Sequence, residues 1–582
     1  MQSVSARSPT RPLTIVAQDP GVRFGGKVLL TQVEVPAETL APGPWGYRVQ
    51  VVDYNATTGE FYSPLRFPDN ALGELVDPFQ GKSADQLLAN PQFHQQNVYA
   101  IAMRILARFE FALGRRVSWS FRTHQLKIAP HAFAQANAFF SPDDEGLYFG
   151  YFPGTRGTIF TCLSHDVVAH ETTHALLDGL RSEFTTPSSP DQAAFHEGFS
   201  DIVALLSVFA LSDVVQAILT KGRSRSTAVK RVDGRTLILA SEVTVEKLKK
   251  SLLLGLADEM GQELSGVRGQ ALRRSAELPP GDYFADPAYD EPHRRGELLV
   301  AAVLTAFLRV IEARLLGLDA GKSGWLDLER VIEEAATAAD QLLTMSIRAI
   351  DYLMPVHLTF SDFLSALLTA DCELCPNDKR YQYRNQLLRS FADYKIAPSS
   401  TGTATERGIW LTPDLSLNYD AVHFKTLQTD RDEVFRFIWE NRTALGLCDR
   451  VYTRVLSVRP CLRIGPDGFL LRETVAEYLQ STTIPAQQLE FFDIDRPPEM
   501  PADATVRIEG GGTLVFDEFG RLKFNIRNRI DDGFRQSARI AYLWRLGYFR
   551  DQKKPLAGSQ SFAELHRLRA LNARTRYREA WT

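Results

Sequence analysis

The sequence predicts an α+β fold with a β-rich amino-terminal part, a helical middle and a mixed carboxy-terminal region. Between about residues 25 and 160, short runs rich in β-branched and aromatic residues alternate with turn residues, a pattern typical of strands. From about 190 to 395, apolar residues mostly recur at helical spacing. Beyond 404, strand and helix patterns alternate again. With 582 residues, 44% of them apolar, the chain is long enough for several hydrophobic cores.

These patterns divide the chain into four parts. Residues 1–24 are predicted to be a flexible lead, 25–190 a β-rich lobe that ends in a helix, 191–397 a helical lobe, and 404–582 an accessory region of unknown role. The segment PSSTGT, which separates the last two parts, is expected to be a linker because Pro, Ser and Gly interrupt regular structure.

The elements of the β-rich lobe follow from local patterns. Strands are predicted in KVLLTQVEV and GYRVQVVDY, and NATTG is expected to connect the latter to EFYSPLRF as a hairpin. An amphipathic helix is predicted from about 95 to 113, because Val98, Ile101, Ile105 and Phe109 recur at helical spacing. Further strands are predicted in HQLKIAPHAF, NAFF and GLYFGYF.

Local patterns also predict the later helices and a carboxy-terminal hairpin. Ser189 and Pro190 form a helix-start signal, with a capping side chain followed by Pro at the first helical position. RGELLVAAVLTAFLRVIEARLL and LDLERVIEEAATAADQLLTMSIRAIDYL are the longest helical patterns. GGGTLVFDEFGRLKFNI predicts a hairpin turning near Phe519 and Gly520, and FAELHRLRALNARTRYREAWT predicts a basic amphipathic helix with a solvated charged face.

The most informative stretch is an HExxH motif formed by His170, Glu171 and His174. Residues four apart on a helix share a face, so the two histidines can bind one metal ion. Glu171 is then placed to act as a general base beside that ion. A catalytic zinc site keeps three protein ligands, and Glu197 is the candidate for the third. Asp201, one turn further on, is expected to accept a hydrogen bond from the outer nitrogen of a ligand histidine.

On these motifs, SHDVVAHETTHALLDGL and HEGFSD, the chain resembles the thermolysin family of zinc metallopeptidases across roughly residues 25–395. The resemblance implies a two-lobed zincin fold with one catalytic Zn²⁺ held by His170, His174 and Glu197. It also implies that Glu171 is the general base and Asp201 a supporting carboxylate. His196 falls where the family has an Asn that supports the second histidine.

The resemblance extends to the surroundings of the motif. In NAFF, Asn137 and Ala138 match an edge strand that pairs with the substrate backbone, and in DEPHRRGELL, His293 matches the histidine that binds the oxyanion. The carboxylate that orients His293 is expected to be Asp290 or Glu291. A last group of expectations concerns substrate contacts: the carbonyl-binding arginine would be Arg273 or Arg274, and Val167 and Leu272 would line an apolar pocket for the residue after the scissile bond.

Two departures from the family pattern stand out. The family's oxyanion tyrosine would fall on Thr185, so this donor is missing or comes from elsewhere in the chain. Losing one oxyanion donor typically lowers the rate by about 10²- to 10³-fold. After Asp201 the chain runs IVALLSVFALSDVV, without the acidic clusters that bind calcium in secreted members, so we do not expect calcium.

Composition limits the partners. With 66 basic and 70 acidic residues and a net charge of −4, no overall field favours nucleic acid. The longest apolar runs, 202–211 and 298–308, are too short to span a membrane. The amino end lacks a secretory signal pattern and the five cysteines suit a reducing compartment, so we expect a cytoplasmic protein. Export by an unusual route, or a trimmed mature form, are the alternatives.

The sequence therefore favours a zinc-dependent endopeptidase that acts on a peptide or protein substrate. Two alternatives stay open: a non-catalytic or latent zinc-fold protein that binds or scaffolds a partner, and a zinc amide hydrolase with a narrow substrate range. Region 404–582 is a possible binding surface for a protein partner in any of these.

Overall fold

The structure is a computed structural model, and the fold combines helices and strands as the sequence predicts. It describes residues 9–549 except 25, 71–72, 155–156, 187, 221–227, 258–268, 319–323, 380, 401–403, 406 and 466–467. The basic helix predicted at the carboxy end therefore lies outside the described residues.

The amino end corrects one expectation. Strand β1 (Thr10–Val16) pairs antiparallel with β4 (Leu30–Pro36), and a short pair, β2 (Arg23–Phe24) and β3 (Lys27–Val28), lies between them in sequence. The flexible lead predicted for 1–24 is thus wrong from Thr10 onward. The reason is that the apolar residues of β1 are fully buried, so the strand belongs to the core.

A five-stranded mixed sheet forms the centre of the β-rich part. Strands β5, β8 and β10 run parallel, whereas β9 and β11 pair antiparallel with β10. The predicted NATTG hairpin is confirmed as the short pair β6 and β7. The strand bounds are β5 Val49–Val51, β6 Tyr54–Asn55, β7 Glu60–Phe61, β8 Leu126–Phe133, β9 Ala138–Ser141, β10 Gly146–Gly154 and β11 Gly157–Phe160.

Helices dominate between residues 165 and 392, with one small antiparallel sheet among them. The first helices of the chain are α1 Ala84–Leu88, α2 Pro91–Leu113, α3 His165–Leu180, α4 Pro190–Phe209, α5 Ser212–Thr220 and α6 Val245–Ala257. They are followed by α7 Gly269–Glu277, α8 Pro292–Leu316, α9 Leu328–Ala349, α10 Phe360–Leu374 and α11 Tyr383–Ala392. The small sheet contains β12 Val229–Val232, β13 Arg235–Leu239 and β14 Trp325–Asp327.

The two helix predictions that matter most for the site are confirmed. Helix α2 covers the predicted 95–113 and begins four residues earlier, because Asn90 caps it and Pro occupies its first position. The Ser189 side chain accepts a hydrogen bond from the backbone N–H of Gln192 and so caps α4. Both signals are local, which is why they are legible in the sequence.

The carboxy-terminal region contains a four-stranded antiparallel sheet in the order β15, β16, β17, β18. The predicted hairpin is confirmed, with Gly520 at a positive φ between β17 and β18. The bounds are β15 Tyr452–Ile464, β16 Leu470–Pro485, β17 Thr505–Phe516 and β18 Leu522–Asn528, with helices α12 Phe424–Leu427, α13 Arg431–Glu440, α14 Arg442–Leu445 and α15 Gly533–Arg545. Short 3₁₀ turns lie at Thr161–Leu163, Ser182–Thr185, Ala240–Glu242, Pro287–Asp290, Ile350–Tyr352 and Ala486–Phe492.

This sheet shares its core with the rest of the protein. Arg181, which follows the last residue of α3, is fully buried and forms an ion pair with Glu477 of β16. Asp351 is likewise buried and pairs with Arg463 of β15 and, at 2.6 Å, with Arg115, which follows α2. Buried ion pairs of this kind hold the carboxy-terminal sheet against the elements that carry the HExxH motif.

Among the described helices, none is by itself long and apolar enough to cross a membrane. Helices α4 and α5 together have the length and composition of a membrane span, and they are bent by 78° relative to each other.

Candidate metal centre

Helices α3 and α4 bring three buried metal-binding side chains together. The Nε2 atom of His170 lies 3.6 Å from Oε2 of Glu197, and the Nε2 atom of His174 lies 3.8 Å from Oε1 of the same carboxylate. One potential ligand atom from each residue lies within 4.8 Å of the other two. All three side chains are 3% exposed or less, so solvent would screen the charge of an ion bound there only weakly.

The outer nitrogens of the two histidines face specific partners. Nδ1 of His170 lies 2.6 Å from a carboxylate oxygen of Asp201, one turn beyond Glu197 on α4. Because a carboxylate accepts, Nδ1 carries the hydrogen and Nε2 the lone pair that a metal ion needs. Nδ1 of His174 lies 2.7 Å from Nδ1 of His196, whose ring stacks beside it. The predicted supporting roles of Asp201 and His196 thus have the required contacts.

Glu171 occupies the position beside the first ligand. It follows His170 directly on α3, and the residue is fully buried. Its neighbours Thr172 and Thr173 each donate a side-chain hydrogen bond to the backbone carbonyl four residues earlier, which ties them to their own helix. Glu171 is therefore the carboxylate that adjoins the first of the two histidines along α3.

His293 joins the trio from α8. Its Nε2 atom lies 3.2 Å from Oε2 of Glu197, and 29% of its side chain is exposed, so it lies where the buried group meets solvent. Glu291 orients it, with Oε1 3.0 Å from Nδ1 of His293. The expectation that Asp290 plays this part is wrong, since Asp290 instead pairs with Arg545 at 3.2 Å.

Helix capping explains the choice of Glu291. Glu291 is the cap of α8, and its Oε2 accepts a 2.8 Å hydrogen bond from the backbone N–H of Arg294. This bond turns the carboxylate back over the first helical turn, of which His293 is the second residue. Asp290 lies one position earlier, in a 3₁₀ turn, and is not held over the helix end.

Two glycines let α4 and α8 approach closely enough for His293 to reach Glu197. A Cβ atom on Gly198 would lie 2.9 Å from the backbone oxygen of Gly296, and one on Gly296 would lie 3.0 Å from the oxygen of Ala194. Gly198 directly follows Glu197, so the crossing point and the ligand coincide. Any side chain at either position must push the helices apart.

Gly296→Ala is accordingly expected to destabilise the protein by about 1–3 kcal/mol, the usual cost of overpacking a tight core. Gly296→Val should cost more, because the branched side chain needs more space at the same crossing. Thermal unfolding of the two variants beside the wild type measures the effect. Equal stability of all three proteins would contradict the close crossing.

The structure separates the two candidate arginines. Arg273 pairs with Glu277 on the exposed side of α7, at 2.9 Å. Arg274 instead faces α8, where its Nη2 lies 2.5 Å from Oε1 of the buried Glu297. Burial raises the pKa of Glu297, while the hydrogen bond and charge of Arg274 lower it. Arg274 is therefore the arginine that contacts α8, the helix that carries His293.

The other residues with a predicted part in substrate binding or catalysis lie on several different elements. Ala138 begins β9, which packs against α3 and pairs on one side with β10, and Asn137 precedes it. Val167 and Leu272 are both buried, and their contact with a substrate stays a prediction. Thr185, in the tyrosine position, donates its hydroxyl hydrogen to the backbone oxygen of Ser182.

Comparison with known proteins adds no relative. No protein-family model matches this chain, and no curated protein matches it. The chemistry of the site must therefore be argued from its donor set. Two imidazole nitrogens and one carboxylate, all buried and convergent, are the set that zinc prefers in hydrolytic sites. The residues present fit a zinc ion.

Proposed function

We propose that this protein is a zinc-dependent endopeptidase with a two-lobed, thermolysin-like catalytic region. The observation that carries the proposal is the buried trio of His170, His174 and Glu197, with Asp201 hydrogen-bonded to the outer nitrogen of His170. A purely structural helix pair has no need for three convergent buried ligands and an oriented ring. Glu171 and His293, both next to the trio, supply the two further groups that hydrolysis requires.

His170, His174 and Glu197 would hold the ion. When bound, zinc supplies Lewis-acid chemistry, which lowers the pKa of a water molecule and polarises a carbonyl group. Asp201 keeps the hydrogen of His170 on Nδ1, and the Nδ1 contact of His174 with His196 holds that ring in place.

Glu171 acts as the general base. Its carboxylate accepts a proton from the attacking water and later returns it to the leaving amine, so one group serves both half-reactions. As an imidazolium, His293 would donate from Nε2 to the oxyanion that develops on the carbonyl oxygen, while Glu291 holds its ring by accepting from Nδ1. This donor also compensates in part for the missing tyrosine.

The substrate would bind as an extended strand. Edge strand β9, which begins at Ala138, offers backbone groups on the side away from β10, and an extended peptide can add to such an edge. Asn137 would orient the peptide from the same edge, and Arg274 would contact a substrate carbonyl from the side of α8. These contacts suit internal peptide bonds.

The test is digestion of an unbiased peptide library by the purified full-length chain, read by mass spectrometry. We expect internal cuts that a chelator abolishes and that added Zn²⁺ restores. Glu171→Gln serves as the matched variant, in which the cuts should fall by at least about 100-fold because the general base is lost. Cuts that persist at the wild-type level in this variant would contradict the assignment of Glu171. Absence of any cut by zinc-loaded protein would overturn the general endopeptidase and favour the latent or scaffolding alternative.

Asp201→Asn provides a separate prediction for the metal. An amide can present its NH₂ group to Nδ1 of His170, so the hydrogen bond that orients the ring is weakened. Zinc affinity is expected to fall by about 10- to 100-fold, the usual effect of losing such a support. Competition with a chromophoric chelator measures the affinity. Unchanged affinity would show that Asp201 does not orient the ligand.

A further inference from the structure

A second group of metal-binding side chains is buried in the β-rich part. It consists of His94 in the first turn of α2, His131 in β8 and Cys162 in the 3₁₀ turn that precedes α3. All three are at most 1% exposed, and one ligand atom from each lies within 4.8 Å of the other two. The proposed peptidase chemistry does not use any of them.

Hydrogen bonds determine which nitrogen of His94 carries the hydrogen. Its Nε2 atom lies 2.9 Å from the backbone oxygen of Leu88. A carbonyl oxygen can only accept, so Nε2 is the donor. In the neutral ring the lone pair is then on Nδ1, and this atom lies 2.8 Å from Nε2 of His131.

The ring of His131 is held in the complementary way. Its Nδ1 atom lies 2.8 Å from a carboxylate oxygen of Asp53, whose other oxygen accepts a hydrogen bond from the side chain of Gln95. Asp53 is therefore an acceptor, and Nδ1 of His131 carries the hydrogen. This is the same carboxylate support that Asp201 gives to His170.

The consequence is that two neutral rings would direct their lone pairs at each other. Nδ1 of His94 and Nε2 of His131, 2.8 Å apart, need a cation between them, either a shared proton or a metal ion. The Sγ atom of Cys162 favours the metal ion, because it adds a third potential ligand atom within 4.8 Å of both nitrogens.

We propose that His94, His131 and Cys162 bind a second zinc ion. Imidazole nitrogens and thiolates are both zinc ligands in proteins. The thiolate of Cys162 and the carboxylate of Asp53 balance the two positive charges, so a buried site carries no net charge. The rings of Tyr62 and Phe160 pack on His131, which shields the site from solvent.

Binding of the ion requires the ligand atoms of His94 and His131 to move slightly apart. With Zn–N bonds of about 2.0–2.1 Å at a tetrahedral angle, the two nitrogens would be about 3.3 Å apart, roughly half an ångström more than here. Three protein ligands leave one position for a further donor such as water. Once bound, the ion ties α2 and β8 to the turn that leads into α3, and so supports the start of the HExxH helix.

Cobalt substitution of the full chain tests the proposal. Metal-free protein is titrated with Co²⁺ and followed by absorption, because a cobalt–thiolate bond gives a near-ultraviolet charge-transfer band that the His170, His174 and Glu197 site, which lacks sulfur, cannot give. We expect this band in the wild type and in His174→Ala, and a zinc content of two ions per wild-type chain. The Cys162→Ser variant should lack the charge-transfer band and bind one zinc ion fewer than the wild type.

The control is Cys461→Ser, which changes the other buried cysteine and should retain the band. Wild-type protein that holds cobalt without a thiolate band would overturn the proposal and assign the shared proton. A band that survives in a folded Cys162→Ser variant would also overturn it. A double variant, Cys372→Ser with Cys375→Ser, removes the other closely spaced thiols and should also retain the band, and loss of the band there would overturn the proposal. These retained-band variants keep the test decisive if Cys162→Ser fails to fold.

Discussion

Glu171→Gln is expected to lower kcat/KM for peptide hydrolysis by about 10²- to 10⁴-fold, the usual contribution of a general base. Gln has nearly the shape of Glu but cannot take a proton from water. The variant should keep the zinc content of the wild type, since Glu171 is next to the ligands without being one of them. Single-substrate kinetics and metal analysis on the same samples measure both quantities.

Glu333→Gln is the matched control. Glu333 lies on α9 and pairs with Arg330 on the exposed surface, so its change should leave kcat/KM at the wild-type level. Activity within about twofold of the wild type in Glu171→Gln would refute the assignment of the base. A loss of zinc together with activity would instead show that Glu171 supports the fold of the metal centre.

Asp351→Asn is expected to cause the largest loss of stability. The change leaves the buried guanidinium groups of Arg115 and Arg463 without the carboxylate between them. Removing one partner of a buried ion pair typically costs about 3–5 kcal/mol. Chemical denaturation followed by fluorescence should show an earlier transition, and Asp531→Asn, which removes an exposed pair with Arg529, should not.

The effect should depend on pH in a defined direction. Burial raises the pKa of Asp351, but Arg115 and Arg463 outweigh it, so the pKa lies well below its ordinary value. A carboxyl whose pKa is lower in the folded state stabilises the protein above its unfolded pKa, about 3.9, and loses that contribution as pH falls below it. The difference in stability between wild type and variant should therefore shrink below about pH 4. A constant difference down to pH 2 would contradict the assignment.

The network around Asp351 also joins the carboxy-terminal sheet, β15 to β18, to the rest of the protein. Arg463 bonds both to Asp351 and, at 2.8 Å, to Glu473 of β16. Together with the pair between Arg181 and Glu477, it connects the carboxy-terminal sheet to the end of α3. We expect the Asp351→Asn variant to lose activity at elevated temperature, while its zinc content at room temperature stays at the wild-type level. The proposed partner surface of this region stays a prediction.

Local spacing explains what the sequence determined by itself. The HExxH pattern places His170 and His174 on one helical face, and the Ser189 cap signal marks the start of α4, so the candidate metal ligands could be recognised from neighbours within a few residues. The α+β class, helix α2 and the hairpin at Gly520 were legible for the same reason. Each of these features is specified by residues that are close together in the sequence.

Tertiary structure decided everything that depends on distant segments. The pairing of β1 with β4, the choice of Glu291 over Asp290 and the direction of Arg274 depend on which helices and strands pack together. The second metal group combines residues 94, 131 and 162, which share no local motif. Side chains this far apart in sequence meet only through burial and helix crossing, and neither the crossing at Gly296 nor the buried ion pairs leave a periodic signal in the chain.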